Sequence, residues 1–202
     1  MVWAPKAIWS DESNQYLVFW SSHFFEHDDP GHIGIHSMSC IRYATTADFV
    51  TFSEPRDYIK IADTSVIDLS FLHLGGNSYL RFLKNQTTHD RDVTSYVYME
   101  NTEEGLFGPW RRPSGSGSYI FRNSEGPCAW WDNNDPQKAY LLLDDIGLDD
   151  PQCIPFEATE FSDQGSWKLC NKTSFPPHRR HGSIIGISKE RYDALRLYYG
   201  LK

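Results

Sequence analysis

Three polar residues stand where a polar side chain needs a reason. Asp68 lies inside the apolar run Val66-Ile67-Asp68-Leu69-Ser70, where a carboxylate is costly to bury unless it is paired or hydrogen-bonded. Its plainer reading is a turn-capping or solvent-facing aspartate. Glu125 stands in Ser124-Glu125-Gly126-Pro127, ahead of the strand-like Cys128-Ala129-Trp130-Trp131, and the Gly-Pro pair fixes its backbone sharply. A glutamate held rigidly beside aromatics, with a second carboxylate near it, is in the setting of a general acid; on an exposed loop it would be an ordinary surface charge. His181, in Arg180-His181-Gly182-Ser183, enters the apolar run Ile184-Ile185-Gly186-Ile187. Taken alone, a histidine there is more often a satisfied structural residue than a ligand.

The elements that must position these residues read as nearly all β. Short runs of β-branched and aromatic residues recur between clusters of Gly, Pro, Asn, Asp and Ser: Gln15–Trp20, Cys40–Ala44, Ser78–Leu83, Thr94–Met99 and Ala139–Leu143. Only Ser188–Leu195 reads as helical, with Ser188 as N-cap and Arg191 at the third helical position. Phe49–Ser53, Leu106–Trp110 and Gly165–Lys168 look like equivalent loops, and Asp68, Glu125 and His181 follow one another at near-equal intervals of 57 and 56 residues. Repeated four-stranded units at such a period suggest a β-propeller, whose innermost strands bring matching residues of successive blades to one channel. The alternative is a β-sandwich in which the acids are unrelated surface residues.

Composition narrows the partners. The 202-residue length fits a single domain spanning 1–202. A net charge of −8 with no Lys/Arg-rich block argues against nucleic acid, no stretch approaches the ~20 apolar residues of a membrane span, and Met1–Pro5 lacks the pattern of a signal peptide. Aromatic residues make up 15% of the chain, which suits sheet packing and carbohydrate stacking. Cys40, Cys128, Cys153 and Cys170 have no zinc-type spacing. A Cys153–Cys170 bridge would be compatible with export, as would the sequons Asn85-Gln86-Thr87 and Asn171-Lys172-Thr173; buried free thiols are equally compatible with the sequence.

Taken in order, Trp3-Ala4-Pro5, Val66-Ile67-Asp68, Ser124-Glu125-Gly126-Pro127 and Arg180-His181-Gly182-Ser183 resemble the family 43 glycoside hydrolases over almost the whole chain. Ile41–Phe49 and Ser78–Lys84 resemble secondary signatures of that family. The resemblance implies a five-bladed β-propeller, here blades two to five, that hydrolyses arabinose- or xylose-containing plant cell-wall polysaccharide or oligosaccharide with inversion. It further implies a secreted monomer. By the same resemblance Glu125 is the general acid, Asp68 raises its pKa and orients it, Trp3, Arg180 and His181 line the sugar pocket, and His181 stands where a calcium ion or water is held. No other cofactor is implied. The family's catalytic base precedes the Trp-Ala-Pro segment and has no match here, so an N-terminally truncated product is expected. Asp28, Asp29, Asp144 and Asp145 are the acids that could replace the base, and none stands in a matching motif. Lys6, where many relatives carry an acid, and Cys128 depart from the pattern. The competing readings are a non-catalytic carbohydrate-binding propeller and a protein-interaction propeller of another family.

Overall fold

In the computed structural model, which describes residues 1–86, 95–113, 119–171 and 178–200, twelve strands form three four-stranded antiparallel meanders. The first holds β1 (Trp3–Ser10), β2 (Gln15–Ser22), β3 (Cys40–Thr46) and β4 (Arg56–Ile59); the second β5 (Val66–Gly75), β6 (Ser78–Asn85), β7 (Tyr96–Thr102) and β8 (Phe121–Arg122); the third β9 (Ser124–Trp131), β10 (Ala139–Asp145), β11 (Gln152–Ala158) and β12 (Lys168–Leu169). β5 packs against both β1 and β9, so the first strand of each meander is the inner strand of a propeller blade. The reading as an all-β propeller holds. The propeller is not closed: the segment from His178, expected to open a further blade, forms no strand before the helix α1 (Lys189–Tyr198) begins. Ile184–Ile187 is followed by that helix instead of a second strand, and a lone extended segment has no ladder partner for its backbone.

Alternation along β6 shows how the blades stack. Successive side chains of a strand point to opposite faces, and Tyr79 and Leu83 enter a core shared with Leu17, Phe19, Ile41 and Leu69. Leu80 and Phe82 enter a second core with Met99, Leu141, Leu143, Ile154 and Trp167. The middle blade is thus buried on both faces, and the parity that sends Leu80 and Phe82 toward the third blade also sends Lys84 there. Truncating such a buried Phe or Leu to Ala typically costs about 2–5 kcal/mol.

The three Phe/Trp loops prove equivalent, since each joins the third and fourth strands of its blade. Two of them fasten neighbouring blades. Tyr58 donates its hydroxyl to the Leu106 carbonyl at 2.5 Å, and Trp167 donates its indole N–H to the Met99 sulfur at 3.4 Å. The outer edge of β7 is satisfied piecemeal because β8 is only two residues long: Ile120 donates to the Val97 carbonyl, Asn101 and Arg111 exchange backbone hydrogen bonds, and the buried Gln164 amide fills the gap between them. Gln164 accepts the Met99 N–H and donates to the Met99 carbonyl, both at 2.7 Å.

Local expectations fared as follows. Ser188 caps α1 and accepts the Arg191 N–H, as its sequence position indicated. Cys153 and Cys170 are both free, and the Cys153 thiol is turned instead toward Asp144 at 3.1 Å, so the bridge between them is not formed. Thr87, Lys172 and Thr173 of the two sequons, and Thr94 of one expected strand, lie outside the described residues.

Gln164→Ala would leave a buried N–H and a buried carbonyl of Met99 unpaired. The expected loss is about 2–5 kcal/mol of stability, read as a lower urea midpoint with an unchanged slope; an unmoved midpoint would contradict this account of the β7 edge.

Candidate functional site

Each inner strand carries one extra residue near its start. Trp3 pairs with Ser21 and Lys6 with Phe19; Ile67 pairs with Lys84 and Ser70 with Phe82; Glu125 pairs with Asp144 and Cys128 with Leu142. Three steps on the inner strand therefore answer two on its neighbour, which defines a β-bulge that re-aims side chains. The second residue of each bulge is left-handed: Ala4 (φ 47), Asp68 (φ 56) and Gly126 (φ 59). His181, in the segment after β12, has φ 36 and continues the series. The position matching Asp68 is thus Gly126, and Glu125 lies one residue ahead of it, beside Trp3, Ile67 and Arg180 in register. Left-handed non-glycine residues store strain and concentrate at functional sites.

At Gly126 the sequence has little choice. Besides the positive φ, a Cβ there would lie 3.1 Å from Cε1 and Nε2 of His181. The close approach lets the Gly126 N–H donate to Asp68 Oδ2 at 3.1 Å, while the Asp68 N–H donates to Ser21 Oγ at 3.0 Å.

Around these bulges the structure brings together Asp68, Glu125, Arg180 and His181, and adds Lys84, which sequence reasoning missed, and Asp144, which it weighed only as a substitute for the base. Lys84 Nζ lies 2.5 Å from Glu125 Oε2, its side chain 6% exposed and that of Glu125 17%. Arg180 binds Glu125 Oε1 through Nη2 and Asp144 Oδ2 through Nε at 3.3 Å. Asp144, only 1% exposed, also meets His181 Nδ1 at 2.6 Å and accepts the His181 backbone N–H. His181 Nε2 faces Asp68 Oδ2 at 3.5 Å. Three carboxylates are therefore matched by Lys84, Arg180 and protonated His181, as buried charges must be. The signals for both were local: Lys84 has the inward parity of Leu80 and Phe82, and Asp144 ends the apolar run Leu141–Leu143.

The hydrogen bond to Asp144, then that to Asp68, raises the His181 pKa to about 10 against the desolvation that opposes it. For Asp144 the largest influence is burial, which pushes upward, yet hydrogen bonds from His181 and Cys153 outweigh it and leave the carboxyl below its ordinary range. Burial, followed by the Asp144 contact, drives the Cys153 thiol up to about 12.

Trp3 falls outside the hydrogen-bonded cluster. Its ring meets His23 edge-on at 5.9 Å, whereas Ala4, Pro5 and Lys6 of the same strand line a cavity of about 230 Å³ with Asp68, Gly126 and His181. Lys6 closes that cavity from β1 by donating to the Gly182 carbonyl and, at 2.9 Å, to Ser183 Oγ. Of the acids weighed as substitutes for a base, Asp29 accepts the N–H groups of Ile33 and Gly34, Asp145 accepts that of Gly147, Asp28 is exposed in the loop between β2 and β3, and Asp144 joins the cluster, buried against Arg180 and His181. Glu125, Asp144 and His181 approach one another closely, but both ring nitrogens of His181 face carboxylates, and each Glu125 oxygen already has a cation. Calcium takes several oxygen ligands, so the ion expected near His181 could draw on these carboxylates only once their contacts with Lys84, Arg180 and His181 opened.

Comparison with known proteins gives a consistent picture. A family model for family-43-related glycosyl hydrolases, described as "Probable glycosyl hydrolase domain", matches residues 1–193. An alpha-L-arabinofuranosidase of Bifidobacterium longum subsp. longum is 42% identical over 92 residues, 43% of this chain and 8% of that protein. A thermostable family-43 glycoside hydrolase superposes with a TM-score of 0.61 at 13% identity, over 87% of this chain and 55% of that one. The Penicillium chrysogenum alpha-L-arabinanase, in complex with arabinobiose, superposes with a TM-score of 0.54 at 13% identity, over 90% and 47%. The last two are likenesses of fold. The chain spans about half of each solved structure and less than a tenth of the arabinofuranosidase.

The His181–Asp144 pair makes stability depend on pH from both sides. Because the folded-state pKa of His181 is raised from 6.5 to about 10, its contribution is full below pH 6.5 and is lost as pH rises through 10. The Asp144 contribution, from a lowered pKa, is present above the ordinary carboxylate range and lost as pH falls. Urea midpoints should therefore decline in the wild type from pH 6.5 upward, and the part of this slope below pH 9, where the raised Cys153 thiol does not yet contribute, should be absent in His181→Gln. Equal slopes in the two proteins would show that His181 is not coupled to the acids.

Proposed function

The chain belongs to the family-43-related glycosyl hydrolase domains, and from that membership we propose that it is a glycosidase acting on arabinose-containing oligosaccharides, with Glu125 as its general acid. The observation that carries this reading is the placement of Glu125 at the bulged start of β9, its two oxygens held by Lys84 and Arg180. The arabinose preference rests on the arabinofuranosidase and the arabinanase that this chain resembles.

In this mechanism Glu125 gives a proton to the glycosidic oxygen as the C–O bond breaks, and that bond's electron pair leaves with the oxygen as the alcohol. An oxygen engaged by a cation cannot also present a proton to substrate, so Arg180 must release Oε1 when a sugar binds. Its side chain is 43% exposed, which leaves it free to turn toward sugar hydroxyls and line the pocket, while Lys84 stays buried. Asp68 acts through the backbone and through His181: by accepting the Gly126 N–H and facing the imidazole, it sets where Glu125 stands and which charges surround it.

Inversion also needs a carboxylate that takes a proton from the attacking water, about 6.5–9.5 Å from the acid. One carboxylate, Asp68, lines the 230 Å³ cavity, and it already serves Gly126 and His181. That observation favours a second reading, in which the domain holds a carbohydrate without cleaving it.

Hydrolysis of an aryl arabinofuranoside with a poor leaving group separates the two. On the first reading Glu125→Gln lowers kcat by about 10²- to 10⁴-fold, and turnover equal to the wild type would remove Glu125 from the chemistry. Saturable binding of arabino-oligosaccharide with no hydrolysis by either protein would establish the second reading.

A further inference from the structure

The residue paired with the start of each bulge reaches across to the next blade. Ser21, opposite Trp3, accepts the backbone N–H of Asp68. Asp144, opposite Glu125, accepts the backbone N–H of His181. In both cases an acceptor on the second strand pins the left-handed residue that follows it in space. Lys84 holds the corresponding place opposite Ile67, yet an ammonium has no acceptor to offer. The Gly126 N–H goes instead to the Asp68 carboxylate, and the Lys84 side chain goes past the backbone to Glu125 Oε2. At the one such position that faces the candidate acid, the backbone pin is replaced by a buried cation on its carboxylate.

We propose that Lys84 is the positioning residue of the general acid: it anchors Oε2, leaves Oε1 as the proton-bearing oxygen, and stabilises the carboxylate left when that proton is given up. This inference rests on the reading of Glu125 as the acid. Oε2 can accept from the buried Lys84 ammonium whether Glu125 is ionised or carries its proton on Oε1, so Lys84 remains on Oε2 when Arg180 lets Oε1 go. Oε1 thereby becomes the oxygen free to face a sugar. The proton transferred from Oε1 leaves a negative charge on a group already in contact with a fixed positive one, an arrangement that needs no reorganisation during the reaction. Lys84 has a compact point charge on a flexible stem and stays on one oxygen, whereas the planar fork of arginine is suited to spanning two groups, as Arg180 does between Glu125 and Asp144.

The test uses the full chain and reads hydrolysis of the aryl arabinofuranoside. Lys84→Met should lower kcat about ten- to a hundredfold with KM nearly unchanged, and Lys84→Arg, which keeps the charge, should restore most of the loss. In a Glu125→Gln background, Lys84→Met should cost nothing further. Wild-type kcat in Lys84→Met, or a loss of the same size with and without the Glu125 carboxyl, would overturn the proposal, because a purely structural clamp acts whether or not residue 125 is an acid. Should Lys84→Met fail to fold, the ¹⁵N chemical shift of the Lys84 ammonium decides: it should move in Glu125→Gln, and a Lys84 signal blind to that change would overturn the proposal. If instead Glu125→Gln retains full turnover while the Lys84 signal moves, the contact stands and the general-acid reading is the part that fails.

Discussion

The site depends on a single repeated distortion, an extra residue at the start of each inner strand that turns the chain left-handed at Ala4, Asp68 and Gly126. A regular strand would alternate these side chains between the faces of its own sheet. The bulge breaks that alternation and swings one residue per blade toward the axis, where His181 meets the series from the segment after β12. Left-handed backbone is strained for any residue but glycine, and such strain persists only where surroundings over-determine it. Here the surroundings are the reaching side chains of the second strands: Ser21 on the Asp68 amide, Asp144 on the His181 amide, and Lys84 on Glu125.

Drawing those residues together creates an electrostatic problem that the fold solves internally. Asp68, Glu125 and Asp144 cannot share one partly buried region as bare anions, because their mutual repulsion adds to the cost of leaving water. Lys84 arrives from β6, and Arg180 and His181 together from the segment after β12, to balance them. The balance is uneven in exposure. Lys84 and Asp144 are sealed inside, whereas Arg180 and His181 are more than two-fifths exposed. The buried pair members hold the geometry, and of the exposed ones His181 lines the cavity beside Asp68 and Gly126.

Rigidity comes from elsewhere. The cores on the two faces of β6 lock the middle blade between its neighbours, and the Gln164 amide and the Tyr58 hydroxyl tie the outer loops across blade boundaries. Because these ties lie at the rim, the inner bulges need not contribute to packing, and their residues can be chosen for charge. By contrast, α1 buries none of its residues, so its capping is a local property that leaves the site untouched.

Much of this was legible in the sequence because it is local or periodic. Turn-bounded runs of alternating apolar residues announced the strands, Ser188 and Arg191 announced the helix start, and the ordered Ile-Asp, Glu-Gly-Pro and Arg-His-Gly segments carried the resemblance to a glycosidase propeller. The alignment of Glu125 with Asp68 was off by one residue, since a bulge leaves no mark in hydrophobic periodicity. Asp144 and Lys84 could not be assigned, because their partners lie 37 and 41 residues away in the chain and nothing local says toward which blade a side chain will reach. The sequence alone therefore determined which residue types were available and roughly where the strands and the helix run. The tertiary structure decided which charges face one another, because contacts between blades are set by how the sheets stack and twist, not by the order of residues along any one strand.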